Sequence, residues 1–252
     1  MVKVMTEDNI IIAKLDNPRT NSVTQETIRI LDDVVSKANS QDEIRGIILT
    51  GEGKMFSSGF DLPMFLGFKD TEAIVDFFRV EEEFMINLFT CKKPVVAALN
   101  GHTVAAGLIL AMASDYRIVK NHPKIKIGMS EINIGLPLSV TQTEIMRFGF
   151  DSDKKFRDIM YFGQMFNVDG AKAIELVDEI VEEGVLIERA KEIIAQWIDK
   201  PGRAFIKLKY GLRKPMADRM RQRLANEDWP KALNCFFEKD VRDTLEMVQK
   251  MM

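Results

Sequence analysis

Little in this chain points to metal or redox chemistry. Its 252 residues include two cysteines and two histidines. Cys91 and Cys235 lie far apart, without a CxxC pair or metal-ligand spacing, and each sits beside apolar residues, so they read as reduced core or subsurface thiols. His102 and His122 cannot build a histidine-rich centre, and HExxH, P-loop and GxGxxG patterns are all missing. Neither a metal nor a nucleotide cofactor held by those motifs is expected. No run approaches the ~20 apolar residues that span a bilayer, and residues 1–8 lack the basic start and apolar stretch of a secretory leader. The expectation is a soluble, cytoplasmic protein. An excess of one charge is also lacking: 35 Lys plus Arg stand against 38 Asp plus Glu, a net charge of -3, so the overall field favours neither nucleic acid nor an anionic membrane. With 8 prolines, 15 glycines and 46% hydrophobic residues, nothing reads as disordered or collagen-like, and the whole chain should fold.

What is present is enough core for one large domain or two small ones. Residues 9–15 (NIIIAKL) and 46–50 (GIILT) are short β-branched runs bounded by polar or turn residues, the pattern of buried strands. Between them Ser22 and Gln25 form a capping-box pattern, and Ile28, Leu31, Val35 and Ala38 recur at helical spacing. Strand, helix and strand in that order suit a right-handed parallel crossover. Residues 71–89 read as an amphipathic helix. A third strand over 94–99 (PVVAAL), a turn at Asn100-Gly101 and a small-residue helix to Ala113 follow, with further strands at 115–119 and 124–127. Beyond Pro137 strands nearly vanish, apart from 178–181. Residues 184–198 and 216–251 read as helices, with breaks at Pro201-Gly202, Pro215 and Pro230. The fold class is therefore α/β, with a core over residues 1–195 and a helical C-terminal region over 196–252.

Two segments carry candidate chemistry. MFSSGFDL (residues 55–62) has small residues around Gly59 that permit close backbone approach, although an ordinary loop explains it equally well. NGHTVAAG (residues 100–107) leaves a strand and enters a helix through small residues. Free amides at such a helix start can stabilise a developing oxyanion; tight helix packing favours the same residues. Taken together, FSSGFDL, KPVVAALNGHTVAAGLILAMASDYRI and IGMSEINIGLP resemble the crotonase (enoyl-CoA hydratase/isomerase) superfamily across residues 15–137, and more loosely over the tail.

That resemblance implies a spiral β/α core and a helical region that builds trimers or dimers of trimers. It also implies an acyl-CoA thioester substrate, with CoA as part of the substrate rather than a separate cofactor, whose carbonyl oxygen rests on the Phe60 and Ala106 amides. The two glutamates of the hydratases map to Ile109 and Glu131, and an aliphatic side chain can neither orient water nor move a proton. The aspartate of the dienoyl-CoA isomerases maps to Ser139. One remaining carboxylate suits a Δ3,Δ2-enoyl-CoA isomerase, with Glu131 as proton shuttle and its pKa raised by the neighbouring Met129, Ile132 and Ile134. Arg19, in a DNPR segment similar to the family's early CoA contact, joins Ser58, Phe60, Lys207 and Lys209 as candidate CoA contacts. A plain turn explains Arg19 as well, and the basic run over 207–223 also reads as a solvated helix face. Asp61 reads as the cap of the helix near Pro63, and Phe65, Leu66, Phe68, Phe77 and Phe78 read as core. Two alternatives stay open. One is hydration, or another CoA-thioester reaction, with an acid drawn from Asp61, Glu144 or Glu81 to Glu83; the other is a non-catalytic acyl-CoA- or RNA-binding homologue.

Overall fold

A computed structural model describes residues 1–251. The chain opens with a hairpin of β1 (Val2–Glu7) and β2 (Ile10–Leu15), whose turn residues Asp8 and Asn9 both take positive φ, 51° and 61°. Such a two-residue turn matches the twist of the flanking strands. The helix α1 (Gln25–Ser40) then carries the chain to β3 (Gly46–Gly51), which pairs parallel with β2, as the sequence implied. Its cap differs from the expected capping box. The side chain of Thr24 accepts from the Thr27 amide, while the Ser22 hydroxyl donates to Asp61 at 2.8 Å; the chain is still extended at Thr24, so the helix starts later than a Ser22 cap would require.

From β3 onward the chain winds as a spiral. The strand β4 (Met55–Ser57) leads through α2 (Leu62–Gly67) and α3 (Thr71–Phe89) to β5 (Val95–Leu99); β6 (His102–Val104) and α4 (Ala106–Ala113) lead to β7 (Tyr116–Lys120), and β8 (Ile127–Gly128) follows. Successive turns of the spiral lay β3, β5 and β7 side by side in one sheet and β4, β6 and β8 in another. After α5 (Val140–Phe148) and α6 (Asp153–Phe162), β9 (Met165–Phe166) closes the small sheet, in the order β4-β6-β8-β9. Past α7 (Val168–Ala173), β10 (Glu179–Val181) completes the large one, in the order β1-β2-β3-β5-β7-β10. The expected strand over 124–127 shrinks to Ile127–Gly128.

Side chains pointing to opposite faces along each strand feed two cores. Ile11, Ala13 and Leu15 face the main core, whereas Ile10, Ile12, Ile48, Val96 and Ile118 pack against Ile193 and Ile194 of α8 (Leu186–Ile198). Three helices end the chain: α9 (Ala204–Leu224), α10 (Trp229–Leu233) and α11 (Lys239–Met251). Ala217, Met220, Leu233, Phe236, Val241 and Leu245 from this region enter the main core. Pro215 does not break α9 as expected. Both Pro215 and Gly211, whose carbonyl loses its partner, are exposed, so the freed carbonyl is open to solvent and its burial penalty does not arise. Cys91 is a buried free thiol and Cys235 a half-buried one. Among the described residues no helix is long and apolar enough to cross a membrane.

Candidate active site

The three short strands β4, β6 and β8 each deliver one chemical group to the same place. After β4, Gly59 adopts φ +96°, where a Cβ would lie 2.6 Å from the Ala105 Cβ and 3.0 Å from the Ala106 nitrogen. Glycine at this position lets the first segment touch the second. The Val23 amide donates to the Gly59 carbonyl (2.8 Å) and the Asp61 amide to the Val23 carbonyl (3.1 Å), which fixes the loop and leaves the Phe60 amide outside both bonds.

After β6, Ala105 is held at φ 58°, ψ -134° as the residue before α4. Few non-glycine residues adopt that conformation, and it stores strain. Three hydrogen bonds hold it: the Ala105 amide donates to the Gly128 carbonyl of β8 (3.1 Å), and its carbonyl accepts from the amides of Leu108 (2.8 Å) and Ile109 (3.2 Å). Ala106 is the first residue of α4, so its amide is one of the donors that a helix start leaves unpaired.

After β8, Glu131 begins a single 3-10 turn that ends at Gly135, a left-handed residue with φ 74°. The Leu136 amide donates to the Glu131 carbonyl (3.0 Å), and the Ser130 amide donates to Glu131 Oε2 (2.9 Å). Burial pushes the Glu131 carboxyl up to about 7, against the opposing pull of the Glu131 and Ser130 amides. It is thus poised to exchange a proton near neutrality.

Ser58, Phe60, Ala105 and Glu131 line one cavity of about 210 Å³, and the Ala106 amide follows Ala105 directly in the chain. Glu131 is the only acid on that wall among the described residues. The rest is largely apolar, with Phe65 and Phe78 belonging both to the core and to the cavity lining. A second cleft, of about 280 Å³, contains Arg19 and shares Phe60 and Leu62 with the first. The candidate phosphate contact and the candidate base therefore lie on opposite sides of one wall.

Other expectations fare differently. Asp61 does cap α2, accepting from the Met64 amide at 2.9 Å. Lys207 is exposed on α9 and lines neither cleft. Lys209 is corrected: its ammonium is buried and donates to Asp115 (2.6 Å) and the Lys93 carbonyl (3.1 Å), so no free cation remains there for a phosphate. The rest of the basic run is also largely engaged, with Lys214 on Asp218, Arg221 on Glu83, and Arg219 and Arg223 on Glu144. Ile109 is fully interior, and Ser139 caps α5.

The spare acids have partners too. Glu144 and Glu83 hold the arginines just named, while Glu81 and Glu82 are buried behind the cavity, accepting from the Gln142 side chain (3.1 Å) and the Thr141 amide (2.9 Å). Burial raises the pKa of both. Three cavity residues had no signal as such in the sequence: Gln142, Phe236 and Val248. The Ser139-x-x-Gln142 capping box was readable as a cap, but its position on the cavity depends on how α5 packs.

Comparison with known proteins agrees with this geometry. The sequence matches the family described as Enoyl-CoA hydratase/isomerase over residues 5–249. It is 28% identical to the mouse protein "Enoyl-CoA delta isomerase 1, mitochondrial", over 84% of this chain and 73% of that one. It is 29% identical to "Probable enoyl-CoA hydratase EchA17" of Mycobacterium tuberculosis, over 79% of this chain and 74% of that one. The fold is that of human mitochondrial delta3-delta2-enoyl-CoA isomerase, with a TM-score of 0.90 at 24% identity, covering 99% of this chain and 97% of the other. With two unpaired amides and one carboxylate gathered by a β/α spiral, and a sequence match from residue 5 to residue 249, this chain belongs to the enoyl-CoA hydratase/isomerase family.

Proposed function

We propose that the protein is a Δ3,Δ2-enoyl-CoA isomerase. The observation that carries this reading is the single acid, Glu131, on a cavity beside two unpaired amides, with Ile109 where a hydratase would hold its second glutamate. The thioester carbonyl oxygen accepts from the Phe60 and Ala106 amides. The Glu131 carboxylate takes the C2 proton; the C–H electron pair forms C1=C2 while the carbonyl pair moves to oxygen, giving a dienolate whose charge the amides stabilise. Glu131 then returns the same proton to C4. The C3=C4 pair makes that bond, and the enolate collapses to place the double bond at C2=C3. No water is consumed, and none has to be oriented.

The Ser58 hydroxyl, buried and without a partner among the described residues, supports a role for it on the CoA arm near the thioester. Arg19 in the adjoining cleft supports a phosphate contact. Incubating a 3-enoyl-CoA with the protein is expected to generate the ultraviolet absorbance of the conjugated 2-enoyl thioester, with negligible hydration of crotonyl-CoA. Rapid hydration by the unaltered protein would instead favour a hydratase.

A trimer, or a pair of trimers, belongs to the same reading. Leu208, Tyr210 and Leu212 of α9 are 72%, 64% and 64% exposed, which is more apolar surface than one helix usually leaves in water. Light scattering is expected to give three or six times the 28.7 kDa of one chain; a mass near one chain would reject the assembly.

A further inference from the structure

Behind the candidate active site lies a second cavity, of about 180 Å³. Phe78, Pro137 and Phe236 line both spaces, so these three residues are the partition between them. Their weight in the fold differs. Phe78 is locked among Phe60, Phe65 and Phe77 with ring centroids 5.4–6.1 Å apart, and the Pro137 ring is part of the chain itself, fixing its own backbone. Phe236 touches two rings, Phe65 at 5.0 Å and Phe78 at 5.5 Å, and sits on a single 3-10 turn, Asn234–Phe237, in the helical tail. Beyond it the second cavity offers Val140, Leu233 and Trp229 as apolar walls.

We infer that Phe236 sets the acyl-chain length, closing the first cavity behind a medium-length chain and shutting off a second chamber that would take a longer one. This rests on the acyl-CoA reading of the site. At roughly 30 Å³ per water-sized or methylene-sized group, the first cavity, of about 210 Å³, holds about seven such groups, so the part of an eight-carbon acyl chain beyond its carbonyl carbon fills it. Removing the Phe236 ring joins the two spaces without touching Glu131, Phe60 or Ala106.

The test needs no turnover: calorimetric affinities of the saturated hexanoyl-, octanoyl-, dodecanoyl- and hexadecanoyl-CoA, for the wild type, Phe236→Ala, the milder Phe236→Leu, and Phe236→Trp. Each methylene that gains burial strengthens binding about fourfold. In the wild type that rise is expected to stop after octanoyl-CoA, and in the alanine or leucine variant to continue to dodecanoyl-CoA; the tryptophan variant is expected to stop sooner. A wild-type rise unbroken through hexadecanoyl-CoA, or variants that shift every chain length equally, would overturn the inference. Failure to isomerise a 3-enoyl-CoA with the length break intact would sink the isomerase reading alone, whereas isomerisation with no break would sink only the role of Phe236.

Discussion

Replacing Glu131 with glutamine is expected to lower turnover of a 3-enoyl-CoA by about 10²–10⁴-fold, the usual contribution of a positioned acid–base group, while affinity for a saturated acyl-CoA stays within a few-fold. Glutamine keeps the volume of the side chain and an acceptor for the Ser130 amide, so the wall keeps its shape. What it loses is the ability to hold the proton between C2 and C4. No other acid lines the cavity among the described residues, which is why the loss should approach the upper end of that range. The pH profile of kcat/KM tests the same group. The carboxyl titrates near 7 because burial disfavours its charged form, and proton removal needs that charged form. Activity should therefore rise through pH 7 and level off above it. A variant that turns over as fast as the wild type would remove Glu131 from the mechanism.

The second large effect concerns stability. Asp115→Ala is expected to destabilise the fold by about 3–5 kcal/mol, the range seen when a buried ion pair loses one partner. Two cations share this carboxylate: Lys209 at 2.6 Å and Arg213 at 3.1 Å. Asp115 also accepts from the Val95 amide at 2.8 Å. The second positive charge is met by main-chain carbonyls at helix ends, where the dipole is negative: Arg213 donates to those of Phe89 (2.8 Å), Ala113 (2.7 Å) and Ser114 (2.9 Å). Burial lowers the pKa of both cations, with Asp115 pulling the other way. Without the carboxylate, two buried cations face each other. Urea unfolding followed by circular dichroism should show the drop, and adding Lys209→Met should recover part of it. An unchanged midpoint would mean that the cluster contributes little.

Lys209 also shows where the sequence was hard to read. A lysine in a run of seven basic side chains looks solvated, and nothing local reveals that Asp115, 94 positions earlier, is its counterion. The strands β2, β3 and β5 were legible because each is a largely apolar run of five or six residues bounded by turns, and β7 through the Ile118-Val119 pair at its centre. The strands β4, β8 and β9 hold two or three residues, too few for any period to register. The Glu131 position and the two amide segments were legible through their motifs. The chain-length partition was not, because Phe236 meets Phe65 and Phe78 only when the helical tail folds back across the core.

The spiral has a consequence for how such an enzyme changes over evolutionary time. Each winding contributes to the cavity wall: Phe60 after β4, Ala105 after β6 with the Ala106 amide next in the chain, and Glu131 after β8. Adjacent windings are held about 4.8 Å apart by strand pairing, and the groups inherit that spacing from the backbone. Chemistry can then be edited one rung at a time. On the middle rung, Ile109 lies one turn along α4 from the Ala106 amide, a side-chain position separate from the strand pairing that holds the Phe60, Ala106 and Glu131 segments. Proteins similar to this chain carry an isomerase name in one case and a hydratase name in another.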